Sequence, residues 1–69
     1  MSKKILTPRE NEIFSKLIEN KTTKEIADEL SISEKTVRNH ISNVMQKIGV
    51  NGRASAVVEL IRLGEIIIN

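Results

Sequence analysis

The apolar positions of this chain recur every three to four residues, which is the period of an α-helix with one buried side. Four segments of the chain have the pattern. The buried sides of the first three are formed by Ile13, Phe14, Leu17 and Ile18, by Ile26, Ala27 and Leu30, and by Val37, Ile41, Val44 and Ile48. The sequence therefore predicts an all-α fold of four helices, with residues 1–69 forming a single domain.

Polar residues mark the limits of the first two helices. Thr7 with Glu10, and Thr22 with Glu25, have the spacing of a capping box, in which each side chain bonds the backbone N–H of the other residue. Asn20 tolerates the left-handed conformation that closes helices, so it is predicted to end the first helix.

The limits of the last two helices are predicted in the same way. Ser33 is the expected cap of the third helix, and Gly49 its expected end. The fourth helix is predicted over about residues 53–63, with Asn51 as the candidate cap and Gly64 as the stop.

The second and third helices are joined by only three residues, 31–33, which is the connection of a helix-turn-helix over about residues 23–48. Apolar residues lie one position before Ala27 and three, five and ten positions after it. This is the packing pattern of the DNA-binding form of the motif. Because a bundle of other helices reproduces some of these spacings, the pattern favours DNA binding without deciding it.

Composition excludes several classes of function. Phe14 is the only aromatic residue and there is no cysteine, so a disulfide scaffold and a thiolate metal site are excluded. His40 alone cannot form a zinc site and has no nucleophile and acid set around it, so no metal, cofactor or enzymatic activity is expected. The longest apolar run is residues 66–68, and the N-terminus has no signal-peptide core. A soluble, cytoplasmic protein without membrane contact is expected.

Charge is unevenly distributed along the chain, although the formal net charge is only +2. Residues 7–34 carry four basic and seven acidic side chains, whereas residues 35–53 carry four basic side chains and no acid. One element facing a polyanion would produce this asymmetry. A solvated basic helix face would produce it equally well.

Several segments of the chain resemble the LuxR/GerE-type helix-turn-helix family. They are residues 6–10 (LTPRE), 23–27 (TKEIA), 30–33 (LSIS), 35–41 (KTVRNHI) and 47–50 (KIGV), followed by Arg53, Ala56 and Val57. The resemblance extends over nearly the whole chain, with Asn20 replacing a frequent glycine. It implies a four-helix domain that binds DNA as a homodimer and regulates transcription.

The third helix is predicted to read the DNA bases. With its apolar residues turned inward, its outward face consists of Lys35, Arg38, Asn39, Ser42 and Gln46. Arg38 can bond guanine O6 and N7 together, and Asn39 can pair with adenine or accept a bond from cytosine. The family resemblance implies base contacts by Arg38, Asn39 and Ser42. Many members carry a long basic side chain at the position of Ser42. The short hydroxyl of Ser42 weakens the case for direct base readout there.

A second set of residues suits contacts with phosphates, because it places hydroxyls and amines at helix starts and beside the reading face. The set is Thr23, Lys24, Lys35, Thr36 and Lys47. The alternative is structural: the threonines can cap or pack, and exposed lysines are usually only solvated. His40 is predicted to be a packed, hydrogen-bonded neutral histidine, because related domains place an apolar residue there.

The fourth helix has more apolar surface than the core of one small domain can cover. One arc is formed by Ala56, Val57 and Leu60, which match the core positions of the family, and a second by Ala54, Val58 and Ile61. A second chain is the natural cover for the second arc. The alternative is a single wide stripe buried in the domain's own core.

Together these features predict a sequence-specific regulator of transcription that binds double-stranded DNA as a homodimer through its fourth helix, with the third helix in the major groove. RNA polymerase is a further candidate partner. The competing hypothesis is an adaptor that uses the helix-turn-helix fold to bind protein. Acids or exposed apolar residues on the outward face would indicate an adaptor, and none occur between Lys35 and Gly49.

Overall fold

The computed structural model of the protein describes residues 5–66. Its helices are α1 (Pro8–Ile18), α2 (Thr23–Leu30), α3 (Glu34–Ile48) and α4 (Arg53–Arg62). The described part of the chain contains no strand. The all-α fold with four helices is therefore confirmed.

Both predicted capping boxes are present. The Thr7 hydroxyl accepts the N–H of Glu10 at 3.2 Å, and the Glu10 carboxylate accepts the N–H of Thr7 at 3.0 Å. Thr22 and Glu25 exchange the equivalent bonds at 3.1 and 2.8 Å. These bonds satisfy N–H groups that the first turn of a helix leaves without a partner, so each box fixes where its helix begins.

The first three helices end through left-handed residues, Asn20 (φ 68°), Ser31 (φ 58°) and Gly49 (φ 70°). After each of them, the next N–H bonds a carbonyl five residues back, as Ile32 does with Ala27 at 3.0 Å. This bond closes a helix and turns the chain sharply. The conformations of Asn20 and Gly49 agree with the sequence prediction, whereas that of Ser31 was not foreseen.

The start of α4 corrects one detail of the sequence prediction. Gly52, not Asn51, is the cap residue, and no side chain bonds the first N–H groups of the helix. The helix ends at Arg62, one residue earlier than predicted, and Gly64 follows with φ 76°.

α3 is the central helix, and it contacts each of the other three. Its inward residues Val37, Ile41 and Val44 are essentially inaccessible to solvent, as the periodicity predicts, while Ile48 is half-buried. The other fully buried side chains are Ile13, Phe14, Ile26, Ala56 and Leu60, which come from the remaining helices. One apolar cluster therefore fixes the orientation of α3, and hence of its outer face.

The two ends of the described chain are bonded to each other. The Glu65 carboxylate accepts the N–H groups of Ile5 and Leu6 at 3.1 and 3.2 Å, and the Glu65 carbonyl accepts the Asn11 side-chain amide at 3.0 Å. Ile66 is buried. The start of the C-terminal tail thus packs onto α1, while residues 67–69 of that tail lie outside the described part.

Over residues 5–66, no helix has both the length and the apolar character needed to cross a bilayer.

Candidate nucleic-acid interface

The turn between α2 and α3 has the three-residue length that the sequence predicts, residues 31–33. Ala27 is buried where the helices approach, and Ile26 and Val37 are inaccessible on either side of the turn. Small and apolar residues at these positions let α2 pack against the first half of α3. The outer face of α3 is thereby presented from a rigid support.

The residues predicted to face outward on α3 are all exposed. They are Lys35, Arg38, Asn39, Ser42 and Gln46. The face therefore displays two cations, two amides and a hydroxyl, with no large apolar side chain among them. These groups can donate hydrogen bonds to base edges and phosphate oxygens.

Arg38 is exposed but has an acidic neighbour. Its Nη1 atom lies 3.5 Å from Oε1 of Glu34, and the side chains of the two residues are 55% and 45% exposed. The same oxygen accepts the Thr23 hydroxyl at 3.4 Å. The sequence analysis counted Glu34 among the acidic side chains of residues 7–34 but did not pair it with Arg38. The i,i+4 spacing to Arg38 was the signal that could have found it.

The remaining residues predicted to contact phosphate differ in their surroundings. Lys24 and Lys35 are exposed, and within residues 5–66 neither makes an ion pair. Thr36 is half-buried in the cap of α3, because its N–H donates to the Ser33 hydroxyl at 3.0 Å and the two hydroxyls are 2.9 Å apart. The structural alternative for Thr36 is thus supported, and the two lysines are free to contact a polyanion.

Lys47 has partners within the fold. Its Nζ atom donates to Oε1 of Glu10 at 2.6 Å and to the carbonyl of Ile5 at 3.2 Å. Two of its three N–H donors are therefore used within the fold, where Lys47 joins the end of α3 to α1. One donor is left for the phosphate contact, which stays a prediction.

Glu10 is the buried partner of this pair, with 4% of its surface exposed. Burial on its own would raise the pKa of the Glu10 carboxyl, but bonds from Lys47 and Thr7 outweigh burial and lower the pKa. The carboxylate is thus ionised and compensated inside the fold. The sequence showed Glu10 only as part of a capping box.

His40 is half-buried at the edge of the inward stripe of α3, which agrees with the prediction that it packs. The predicted hydrogen bond is not found, since no side-chain bond of His40 occurs among the residues that the structure describes.

The two arcs of α4 differ sharply in exposure. Ala56 and Leu60 are inaccessible, whereas Val58 is 63% exposed. Ala54 is exposed as well, and Ile61 is half-buried. A single wide stripe buried in the domain's own core is therefore excluded. Leu63, which the sequence reasoning did not assign to an arc, is 44% exposed.

Comparison with known proteins gives a family. Residues 4–60 match the family model described as bacterial regulatory proteins, luxR family. The chain is 69% identical over 65 residues to spore germination protein GerE of Bacillus subtilis, an alignment that covers 94% of this chain and 88% of that protein.

Other relatives contain a similar sequence as one part of a longer chain. Transcriptional regulatory protein DegU of Brevibacillus brevis is 48% identical over 60 residues, which are 87% of this chain and 25% of DegU. Among solved structures, the transcription factor GerE superposes with a TM-score of 0.92 at 55% identity, covering 97% of this chain and all of that chain. The response regulator ChrA superposes with a TM-score of 0.85 at 30% identity over 96% of this chain and 33% of that chain.

Proposed function

The chain belongs to the luxR family of bacterial regulatory proteins, and on that premise we propose that two copies bind duplex DNA together, each with α3 in the major groove. DNA-binding regulation of transcription by a helix-turn-helix domain follows from membership of the family. An adaptor without a DNA role is therefore set aside.

The observation that carries the proposal is the outer face of α3. Arg38 and Asn39 are exposed there on a helix whose other side is fixed by the core. A guanidinium can bond two acceptors of guanine, and an amide can bond two groups of adenine. We assign base reading to Arg38 and Asn39, with Ser42 as a shorter contact on the same face.

Phosphate contacts are assigned to the residues flanking this face. Lys24 and Thr23 lie in the first turn of α2, and Lys35 and Thr36 in the first turn of α3, where Thr36 also packs into the helix cap. Helix N-termini attract anions through their unpaired N–H groups and the helix dipole. Lys47 is left with one free donor and is the weakest member of this group.

Selection of bound sequences from random duplex DNA tests base reading. Arg38→Ala is expected to relax the preference at one position of each half-site and to weaken binding by about 1–3 kcal/mol per half-site. Lys24→Ala is the matched control, because loss of a phosphate contact weakens all sequences alike. An unchanged consensus for Arg38→Ala would show that α3 does not read DNA through this residue.

The homodimer is assigned to the exposed arc of α4, formed by Ala54, Val58 and Ile61. Two copies related by a twofold axis would bury each other's Val58 and would present the α3 helices to major grooves about 34 Å apart. One helix per partner makes a small interface, so dimerisation is expected to be weak in free solution and strengthened by DNA.

Val58→Asp tests this interface, because it places like charges across the axis. Helical content should be unchanged, since Val58 is exposed, while cooperative binding to a duplex with two half-sites should be lost. Ser55→Asp adds the same charge on the polar side of α4 and should preserve cooperativity. Cooperative binding by Val58→Asp would exclude α4 as the interface.

The setting of the function is proposed from the relatives. GerE is a spore germination protein, and we extend a role in sporulation to this chain as part of the proposal. A regulator of transcription in a bacterium acts in the cytoplasm and works beside RNA polymerase, which is the further partner we propose.

A further inference from the structure

We propose that Glu34 is an internal competitor for DNA. In the free protein its carboxylate holds two groups, the Thr23 hydroxyl and the Arg38 guanidinium, which the proposed function assigns to DNA. This inference rests on that proposed function and adds a residue that sets the affinity. Glu34 acts by positioning Arg38 and Thr23, without contacting the bases itself.

The geometry places one acidic oxygen between two DNA-binding groups. Oε1 of Glu34 lies 3.4 Å from the hydroxyl of Thr23, the first residue of α2, and 3.5 Å from Nη1 of Arg38. The start of α2 attracts anions, because its N–H groups point outward there. The carboxylate is thus close to where a phosphate would lie. It occupies the Thr23 hydroxyl, which is assigned to that phosphate, and the Arg38 guanidinium, which is assigned to a base.

The contacts of Glu34 with Arg38 and Thr23 are weak, so DNA can replace them. Both distances are long for hydrogen bonds, and both side chains of the ion pair are about half exposed. Binding to a guanine would give Arg38 two acceptors in exchange for one. Glu34 would then be left unpaired beside the phosphates, whose negative charge repels it. Loss of its charge should therefore strengthen DNA binding.

Glu34 also lies in the first turn of α3, where an acid stabilises the helix dipole. A residue present only for that reason would affect helix stability and would leave DNA binding unchanged beyond the general effect of its charge. The two roles can be separated because the chain offers a matched acid on another helix. Glu12 pairs with Arg9 at 3.3 Å on α1, and both of these side chains are exposed.

The experiment measures binding of Glu34→Gln and Glu12→Gln to random and to selected duplexes over a range of salt. Each variant removes one exposed negative charge. Glu34→Gln is expected to tighten binding about two- to fivefold per half-site at moderate salt, because it removes a weak exposed ion pair. The slope of the salt dependence should change little, since Arg38 is assigned to a base and the Thr23 hydroxyl carries no charge. Equal changes in the two variants would overturn the proposal.

Two further variants exclude indirect effects. In an Arg38→Ala background, Glu34→Gln should gain less affinity, because one of the two restrained groups is gone. An undiminished gain would overturn the proposal.

Glu34→Asp keeps the charge at the helix start but shortens the side chain by one methylene. It should bind DNA more tightly than the unchanged protein and keep the same helical content, whereas unchanged affinity would contradict the geometry.

Failure of this inference differs from failure of the proposed function. If the protein binds no duplex, or if Arg38→Ala leaves the selected consensus unchanged, the proposed function is wrong. A protein whose consensus depends on Arg38 but in which Glu34→Gln and Glu12→Gln behave alike contradicts only the role of Glu34.

Discussion

α3 has a basic residue paired with a glutamate towards each end, and the two pairs differ in distance and burial. Arg38 and Glu34 are 3.5 Å apart, both belong to α3, and both are about half exposed. Lys47 is 2.6 Å from Glu10 of α1, whose side chain is 6% exposed. The first pair can separate in water at little cost, whereas separating the second leaves a charge without its partner in the fold. One end of the basic stretch is thus available to DNA, and the other holds the fold together.

α4 repeats the contrast with apolar residues. Val58 and Leu60 are two positions apart, and one is 63% exposed while the other is inaccessible. The helix therefore packs one arc into the core and exposes Val58 of the other, which the proposed dimer would cover. Both helices thus divide their side chains between the core and the surface.

The largest expected effect tests the division within α4. Leu60→Ala should lower the free energy of unfolding by about 2–5 kcal/mol, because it opens a cavity in the core. Val58→Ala should change it by no more than about 0.5 kcal/mol in dilute protein. Urea unfolding followed by helical circular dichroism measures both. A cost for Val58→Ala that grows with protein concentration would show a second chain covering the residue, whereas a large cost independent of concentration would break the contrast.

The next effect tests the two ends of α3. Lys47→Ala should lower the free energy of unfolding by about 1–3 kcal/mol, because it leaves the Glu10 carboxylate buried without its partner. Arg38→Ala should change it by less than about 0.5 kcal/mol, since its pair is exposed. The double variant Glu10→Gln with Lys47→Met should recover part of the loss. If Lys47→Ala weakens DNA binding and leaves stability unaltered, the lysine is a phosphate contact as the sequence suggested.

Most of the fold was predictable from the sequence because its signals are local. Capping boxes such as Thr7 with Glu10 are complete within four residues, and the inward stripe of α3 follows from the helical period alone. The three-residue turn was predictable for the same reason. The left-handed Ser31 was not, since serine seldom adopts that conformation.

For the site, the sequence predicted which face of its helix each residue lies on, but not its partners on other helices. A helix wheel placed Arg38 and Asn39 outward correctly, but it cannot show that Lys47 meets a residue 37 positions earlier in the chain. The sequence alone does not distinguish a solvated lysine from one that pairs with an acid of another helix. The partner exists only after α1 packs on α3.

The smallest expected effect concerns acid, and it compares Glu10 with an exposed glutamate. Glu29 accepts Lys16 at 2.7 Å and Lys21 at 2.9 Å, and these bonds lower the pKa of its carboxyl. The pKa of Glu10 is also lowered, although burial opposes the shift. A lowered pKa in the folded state means that the folded protein binds fewer protons than the unfolded chain. Both groups therefore add stability above the ordinary carboxyl pKa of 4.5, and this stability is lost as the pH falls through the folded value.

Salt separates the two groups, because dissolved ions screen exposed pairs much more than buried ones. Urea midpoints would be measured between about pH 7 and about pH 3, at low salt and at about 0.5 M salt, for the unchanged protein, Glu10→Gln and Glu29→Gln. At low salt each variant should lose less stability in acid than the unchanged protein. At high salt the difference due to Glu29→Gln should shrink, while the difference due to Glu10→Gln should persist, since its carboxylate is shielded from solvent. If salt reduces both differences equally, the Lys47–Glu10 pair is solvated like the Arg38–Glu34 pair, and the contrast between the two ends of α3 does not hold.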